Sequence, residues 1–367
     1  MFFKTLLIAA VSLAAADIAA AKPTPYGHLP RAVLYAPSGG RWYADHDFTS
    51  EIRAARARLA HLTAGYTTVK KRLENYNILL AVKRVGDGIE VVKVSRNGSN
   101  REGFVIDWAK ANGVNTNFIV HKPLGYTVLA AKRVIRWRRG YEEVVYTPFT
   151  DDIDTPAMRA RGIRYLRTVI ERAYSDLLNA NVRSQSLPGR RVAAIIPVKT
   201  ALALSIIEHI DPSRLKHESV EKLVDEVLVT VAANQDLAYN YAVSRTGARG
   251  LFQFMPETYG RITRKYSRAH LVRDFTAGMN NHVNAAKASL LLFDSDLGQL
   301  PREKREWLVG RSTNPHYAAV YLAAAYNGGA PRVAASIRRG GAWTKRLRPE
   351  TQWYVLKLDK VRKALQL

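Results

Sequence analysis

Glu208 is the only acid in the run Pro197-Val-Lys-Thr-Ala-Leu-Ala-Leu-Ser-Ile-Ile-Glu208, and it stands at the run's end. A short helix that is apolar on nearly every side must be buried. A carboxyl group in an apolar cleft is poorly solvated when charged, so its pKa rises. It then keeps its proton near neutrality and can act as a general acid toward an oxygen leaving group. A single Glu at a helix end is equally compatible with an Arg partner or an exposed side chain. The second chemical feature is Ser244-Arg-Thr-Gly-Ala-Arg-Gly-Leu-Phe-Gln-Phe-Met-Pro256. Gly247 and Gly250 let its backbone turn sharply and approach a ligand closely, so that Ser244 and Gln253 present polar groups from a pinned loop.

Helices must carry these groups. Thr155-Pro156 predicts a helix start, with Thr as N-cap and Pro in the first turn. Ile163, Leu166, Ile170 and Leu177 give that helix one apolar face, and Ser186-Leu-Pro-Gly189 is expected to end it. From there to the C-terminus the pattern is nearly all helical. Val220, Leu223, Val224, Val227, Leu228 and Val231 follow a 3.6 period between Glu208 and Ser244. Upstream, residues 50–76 read as helical. Ile78–Val85 and Ile89–Val94 flank Gly86-Asp87-Gly88, a hairpin turn. Phe104-Val-Ile, Phe118-Ile-Val, Tyr126–Ile135 and Glu143–Tyr146 continue the strand pattern. The fold class is therefore α+β: a small α+β domain at 22–150, with an irregular start, then a mainly helical domain at 151–367.

The Ser244–Pro256 loop resembles the signature loop of the lytic transglycosylases, the soluble-lytic-transglycosylase (SLT) domain of the lysozyme-like superfamily. Three more segments resemble that family in the same order. Ala203-Leu-Ser-Ile-Ile-Glu208 followed by Asp211-Pro212 looks like the end of its catalytic helix. Ala323-Ala-Ala-Tyr-Asn-Gly-Gly329 is similar to its Ala-Tyr-Asn-x-Gly motif, and Pro349-Glu-Thr-Gln-Trp-Tyr354-Val to its closing Glu-Thr-x-x-Tyr-Val segment. The resemblance implies Glu208 as catalytic acid, with Ser244, Gln253, Tyr326, Asn327 and Tyr354 as substrate-binding groups. It also implies a peptidoglycan glycan strand as substrate. The MurNAc–GlcNAc bond would break with closure of a 1,6-anhydro-MurNAc ring, one Glu serving as acid and then as base.

The chain departs from the family in two ways. His209 follows Glu208 where relatives usually carry Ser. Glu208 also precedes Ser244 by 244 − 208 = 36 positions, against a usual gap near nine, with the 220–231 helix in between. Counting nine back from Ser244 reaches Gln235, which cannot donate a proton as an acid. That alignment makes the protein a degenerate peptidoglycan-binding or envelope scaffold protein, or one that relies on the neighbouring Asp236. A hydrolytic muramidase is a further alternative. It needs a second carboxylate, for which Asp211, Asp236 and Glu257 are candidates. Asp211 before Pro212 also reads as a turn residue, and Glu257 as a first-turn helix acid.

Lys4, the apolar run Leu6–Ala16 and Ala19-Ala20-Ala21 predict a signal peptide at 1–21, cleaved after Ala21. Its apolar run is too short for a membrane-spanning helix. The expected compartment is the periplasm, with no lipid anchor because the chain has no Cys. The same absence excludes disulfides, thiolate metal sites and a Cys nucleophile, and the nine His form no metal-ligand spacing. No cofactor or metal is expected. The net charge of +25 favours an anionic polymer such as peptidoglycan or an anionic envelope surface. Its basic clusters lie at Lys132–Arg139, Arg159–Arg172 and Arg338–Arg348. No nucleic-acid-binding motif accompanies that charge, so nucleic acid is not an expected partner. Other protein partners, and what residues 22–150 bind, are not legible.

Overall fold

A computed structural model describes residues 45–69, 72–95, 100–107, 118–137, 140–310 and 315–366. The signal peptide expected at 1–21 and most of the expected irregular start lie outside the described residues. The chain is α+β, with an antiparallel sheet region followed by a helical region.

Helix α1 (Thr49–Ala60) leads into β1 (Tyr66–Val69), β2 (Arg72–Arg84), β3 (Ile89–Ser95), β4 (Val105–Asp107), β5 (Ile119–His121), β6 (Tyr126–Trp137) and β7 (Gly140–Tyr146). The helix read over 50–76 thus stops at Ala60. Gly65 at φ 73° turns the chain, and Tyr66-Thr-Thr-Val69 is a β-branched and aromatic run that enters the sheet instead. β2 is the central strand. It pairs antiparallel with β1 at its start, then with β3 and β6, while β7 extends the sheet beside β6. The β2–β3 hairpin closes at Gly86, φ 87°, with Lys83 opposite Ile89.

β2 is apolar without alternation from Ile78 to Val82 because both of its faces are covered. Ile78, Leu80 and Val82 face one cluster with Ile106 of β4 and with Phe104 and Phe118, which immediately precede β4 and β5. Leu79 and Ala81 face another, built from Ile52, Ala55 and Leu59 of α1. Lys132 belongs to this structure rather than to a solvated basic face: it is buried, pairs with Glu143 at 3.4 Å and donates to the carbonyls of Ala60 and Leu62.

The helical region comprises α2 (Pro156–Asn179), α3 (Val198–Ile207), α4 (Val220–Asn234), α5 (Pro256–Lys265), α6 (Phe275–Asn280), α7 (His282–Leu297), α8 (Arg302–Val309), α9 (Pro315–Gly328), α10 (Ala330–Arg338) and α11 (Pro349–Ala364). Thr155 caps α2 as expected, its hydroxyl accepting from the Met158 N–H at 3.2 Å. The helix ends at Asn179, before the Ser186–Gly189 break, where Asn181 takes up φ 48°. Asn tolerates that conformation better than most residues.

α4 spans two cores. Leu223, Val224, Val227, Leu228 and Val231 join the helical core. Val229, Ala232 and Ala233 join α1 and the sheet. It crosses α2 at Gly162, where an added Cβ would lie 2.0 Å from the Leu228 carbonyl oxygen. At its C-terminus Asn234 accepts from the Thr147 N–H and donates to the Thr147 carbonyl, both at 2.8 Å. These bonds satisfy a buried stretch of backbone just past β7.

Candidate active site

α3 positions Glu208. All residues from Thr200 to Ile207 are buried, and the helix packs against α2, α4, α7, α9 and α11. The amphipathic rule fails here because α3 has neighbours on every side. Glu208 is its C-cap residue, still bonded through its N–H to the Leu204 carbonyl at 3.2 Å. The chain then leaves through Ile210 and Asp211. The Asp211 carboxylate accepts from the N–H and the hydroxyl of Ser213, both at 2.7 Å, and Pro212 excludes further helix. Asp211 is thus a turn residue.

α11 supplies the partners of the acid. Tyr354 donates its hydroxyl to Glu208 Oε1. One turn on, Lys357 donates to the carbonyls of Ile207 at 2.7 Å and Ile210 at 3.0 Å. Burial raises the Glu208 pKa to about 7, against the opposing pull of the Tyr354 hydroxyl and the Lys357 charge. Burial also brings Lys357 down to about 8, the Glu208 carboxylate resisting that fall. Near neutrality the carboxyl is therefore poised between its two forms, as proton transfer in both directions requires.

The signature loop packs against this helix end. His209 stacks flat on Tyr239, ring centroids 3.4 Å apart and planes 7° apart, and bonds to the Leu251 carbonyl at 2.9 Å through Nε2. Burial drives the His209 pKa down to about 3, so the ring is neutral and Nε2 carries the proton it donates. Within the loop the Ser244 hydroxyl accepts from the Ala248 N–H at 2.9 Å. Gly250, at φ 77°, lies so near α6 that a Cβ would come 2.9 Å from the Met279 carbonyl oxygen. Gln253, itself at φ 45°, donates to the carbonyls of Gly250 at 2.9 Å and Ala242 at 3.3 Å. Tyr326 donates to the Phe252 carbonyl at 2.5 Å. Arg249 lies over the Trp137 ring, 5.1 Å from its centroid, and ties the loop to the end of β6.

A cavity of about 750 Å³ opens beside Glu208. Glu208, Ser244, Asn327 and Tyr354 line it together. Asn327 Oδ1 is buried without a hydrogen-bond partner. Gln253 and Tyr326 are not among the lining residues and instead brace the loop from behind. Gln235 is not among them either; it caps α4 at φ 49°. Asp211 reaches the cavity, whereas Asp236 and Glu257 do not.

Other parts of the wall were not singled out from sequence. They include Lys357, the half-exposed Trp353, Glu226 and Thr230 of α4, and Tyr146–Phe149 leaving the sheet. Lys357 did carry a signal, since it lies three residues after Tyr354 and so shares its helix face. The sheet residues carried none, because nothing local shows which distant helix they meet.

The cavity thus sets a buried carboxyl group of raised pKa beside the polar side chains of Ser244, Asn327 and Tyr354. Residues 216–348 match the transglycosylase SLT domain family. Residues 216–348 are therefore similar to the SLT domain of the lysozyme-like lytic transglycosylases, a likeness that supports peptidoglycan cleavage in general. The matched span includes Gln235, Ser244, Gln253, Tyr326 and Asn327. It begins 216 − 208 = 8 positions after Glu208 and ends before Tyr354. No curated protein matches the chain.

Proposed function

We propose that this protein is an exported lytic transglycosylase that cleaves the MurNAc–GlcNAc bond of peptidoglycan with Glu208 alone as acid and base. The observation that carries this reading is the bond from Tyr354, in the closing family motif, to a Glu208 whose pKa lies near 7. Protonated Glu208 gives its proton to the glycosidic oxygen as the bond from that oxygen to the MurNAc anomeric carbon breaks. The resulting carboxylate takes the proton of the MurNAc 6-hydroxyl, whose oxygen closes on the anomeric carbon to form the 1,6-anhydro ring. Atoms balance without water, and Glu208 ends protonated.

Ser244, Asn327 and Tyr354 face the sugar from the cavity wall. Gln253 and Tyr326 hold the loop in register, which is how they contribute to orientation. The compartment proposed from the signal peptide is the periplasm, where this substrate resides.

One observation favours a second reading. The family match leaves out Glu208 and includes Gln235, as a non-catalytic relative would. Release of soluble muropeptides from purified peptidoglycan by the wild type and by Glu208→Gln decides between them. Turnover by the wild type that is lost in the variant supports the enzyme. Turnover unchanged in the variant removes Glu208 as the acid, and none in either protein favours the binding protein.

A further inference from the structure

The last carbonyls of a helix have no partners within it, and the helix dipole places partial negative charge there. At the end of α3 this is also where Glu208 must become a carboxylate after giving up its proton. Two negative features at one buried point would hold the acid permanently protonated, unable to act as a base.

Lys357 stands at this point. The residue is 6% exposed, and its ammonium group bridges the carbonyls of Ile207 and Ile210, which flank Glu208 in the chain. A buried lysine requires compensation for its lost hydration, and the structure supplies it from the carbonyls of the catalytic helix end. We propose that Lys357 is the positioning residue for Glu208: it fixes the backbone on both sides of the acid and supplies the positive charge that lets the carboxylate form within the cycle. This rests on the reading of Glu208 as the acid.

Other groups facing the pair do not supply that charge. On α11, Tyr354 is a hydroxyl donor, and Glu350, also on the cavity wall, is an acid. Tyr326 of α9 is neutral. His209 is neutral in its stack with Tyr239. Asp211 and, from α4, Glu226 are acids; the other cations on the wall are Arg214, paired with Glu218 at 2.5 Å and Glu226 at 2.6 Å, and Lys216, while the charge that acts on Glu208 is that of Lys357.

The test is a pH titration of the Glu208 side-chain carboxyl by ¹³C NMR in the full chain. Glu208→Gln identifies the resonance. Lys357→Met removes donor and charge, Lys357→Gln keeps a donor without the charge, and Lys357→Arg keeps both. The Met and Gln variants should raise the Glu208 midpoint by about one pH unit, the lower range for loss of an adjacent opposite charge. The Arg variant should bring it back. The alkaline limb of kcat/KM should move upward with the midpoint.

A midpoint unchanged in a folded Met or Gln variant would overturn the assignment, however much activity or thermal stability had fallen. The titration needs no turnover, so this failure is separate from failure of the catalytic reading. That reading stands or falls on the activity of Glu208→Gln.

Discussion

Replacing Glu208 with Gln should stabilise the protein, and only above a defined pH. The folded carboxyl has a pKa of about 7 against an ordinary value of 4.5. Below pH 4.5 both folded and unfolded chains hold the proton, so the group contributes nothing to pH dependence. Between 4.5 and 7 the unfolded chain releases its proton while the folded chain keeps it. Stability therefore falls as pH rises, by about 1.4 kcal/mol per pH unit. With both pKa values included the loss is about 3 kcal/mol at pH 7 and levels off at about 3.4 kcal/mol above it.

Gln has nearly the same shape, can still accept from Tyr354, and does not titrate. Glu208→Gln should therefore match the wild type at pH 4.5 and exceed it by about 3 kcal/mol at pH 8. Urea unfolding followed by circular dichroism at both pH values measures the difference. A gap between the two proteins that stays constant across pH, or a wild type that is the more stable at pH 8, would refute the claim that burial raises this carboxyl.

Four further outcomes follow from the same geometry. Tyr354→Phe should lower kcat/KM and move its alkaline limb upward by about one pH unit, because a hydroxyl donor favours the carboxylate form; a pH–rate profile reads both, and an unmoved limb would deny the bond any role in tuning. Gly250→Ala forces a Cβ toward the Met279 carbonyl at an unfavourable φ and should cost about a hundredfold in kcat through displacement of the loop; wild-type kcat would show the close approach to be immaterial. Gly162→Ala should destabilise by about 3 kcal/mol in urea unfolding, since the obstacle is the Leu228 backbone of α4. Asn234→Ala strands the N–H and C=O of Thr147, at about 1–3 kcal/mol for each buried group left unpaired; an unchanged unfolding midpoint would show that water replaces both bonds.

Glu208 was legible as a candidate acid because an apolar run with one terminal carboxyl has few other uses. Ser244 and Asn327 were legible as candidates through motif resemblance, and both line the cavity. The bracing roles of Gln253 and Tyr326 were not. Gln253 adopts a left-handed φ, which its identity does not announce, and it turns its amide toward the loop. Tyr326 reaches a carbonyl 74 positions away in the chain.

The contact of Tyr354 with Glu208 spans 146 positions and that of Lys357 with Ile207 spans 150. Only the packing of α11 on α3 creates them. Helix α4 was legible as amphipathic from its stripe toward the helical core. Its second apolar face, toward α1 and the sheet, became interpretable only once the sheet's own two-sided burial was seen. The part of the 50–76 helix reading beyond Ala60, where the structure turns and enters β1 and β2, shows the limit of periodicity near a glycine, where the turn decides which element follows.

The central claim is a single-carboxylate reaction closing a 1,6-anhydro ring at Glu208. Mass spectrometry of muropeptides released from purified peptidoglycan tests it most directly. The account predicts products ending in 1,6-anhydro-MurNAc, lighter by one water than reducing ends, and their disappearance with Glu208→Gln. Reducing-end products from the wild type, or anhydro products persisting in the variant, would contradict it.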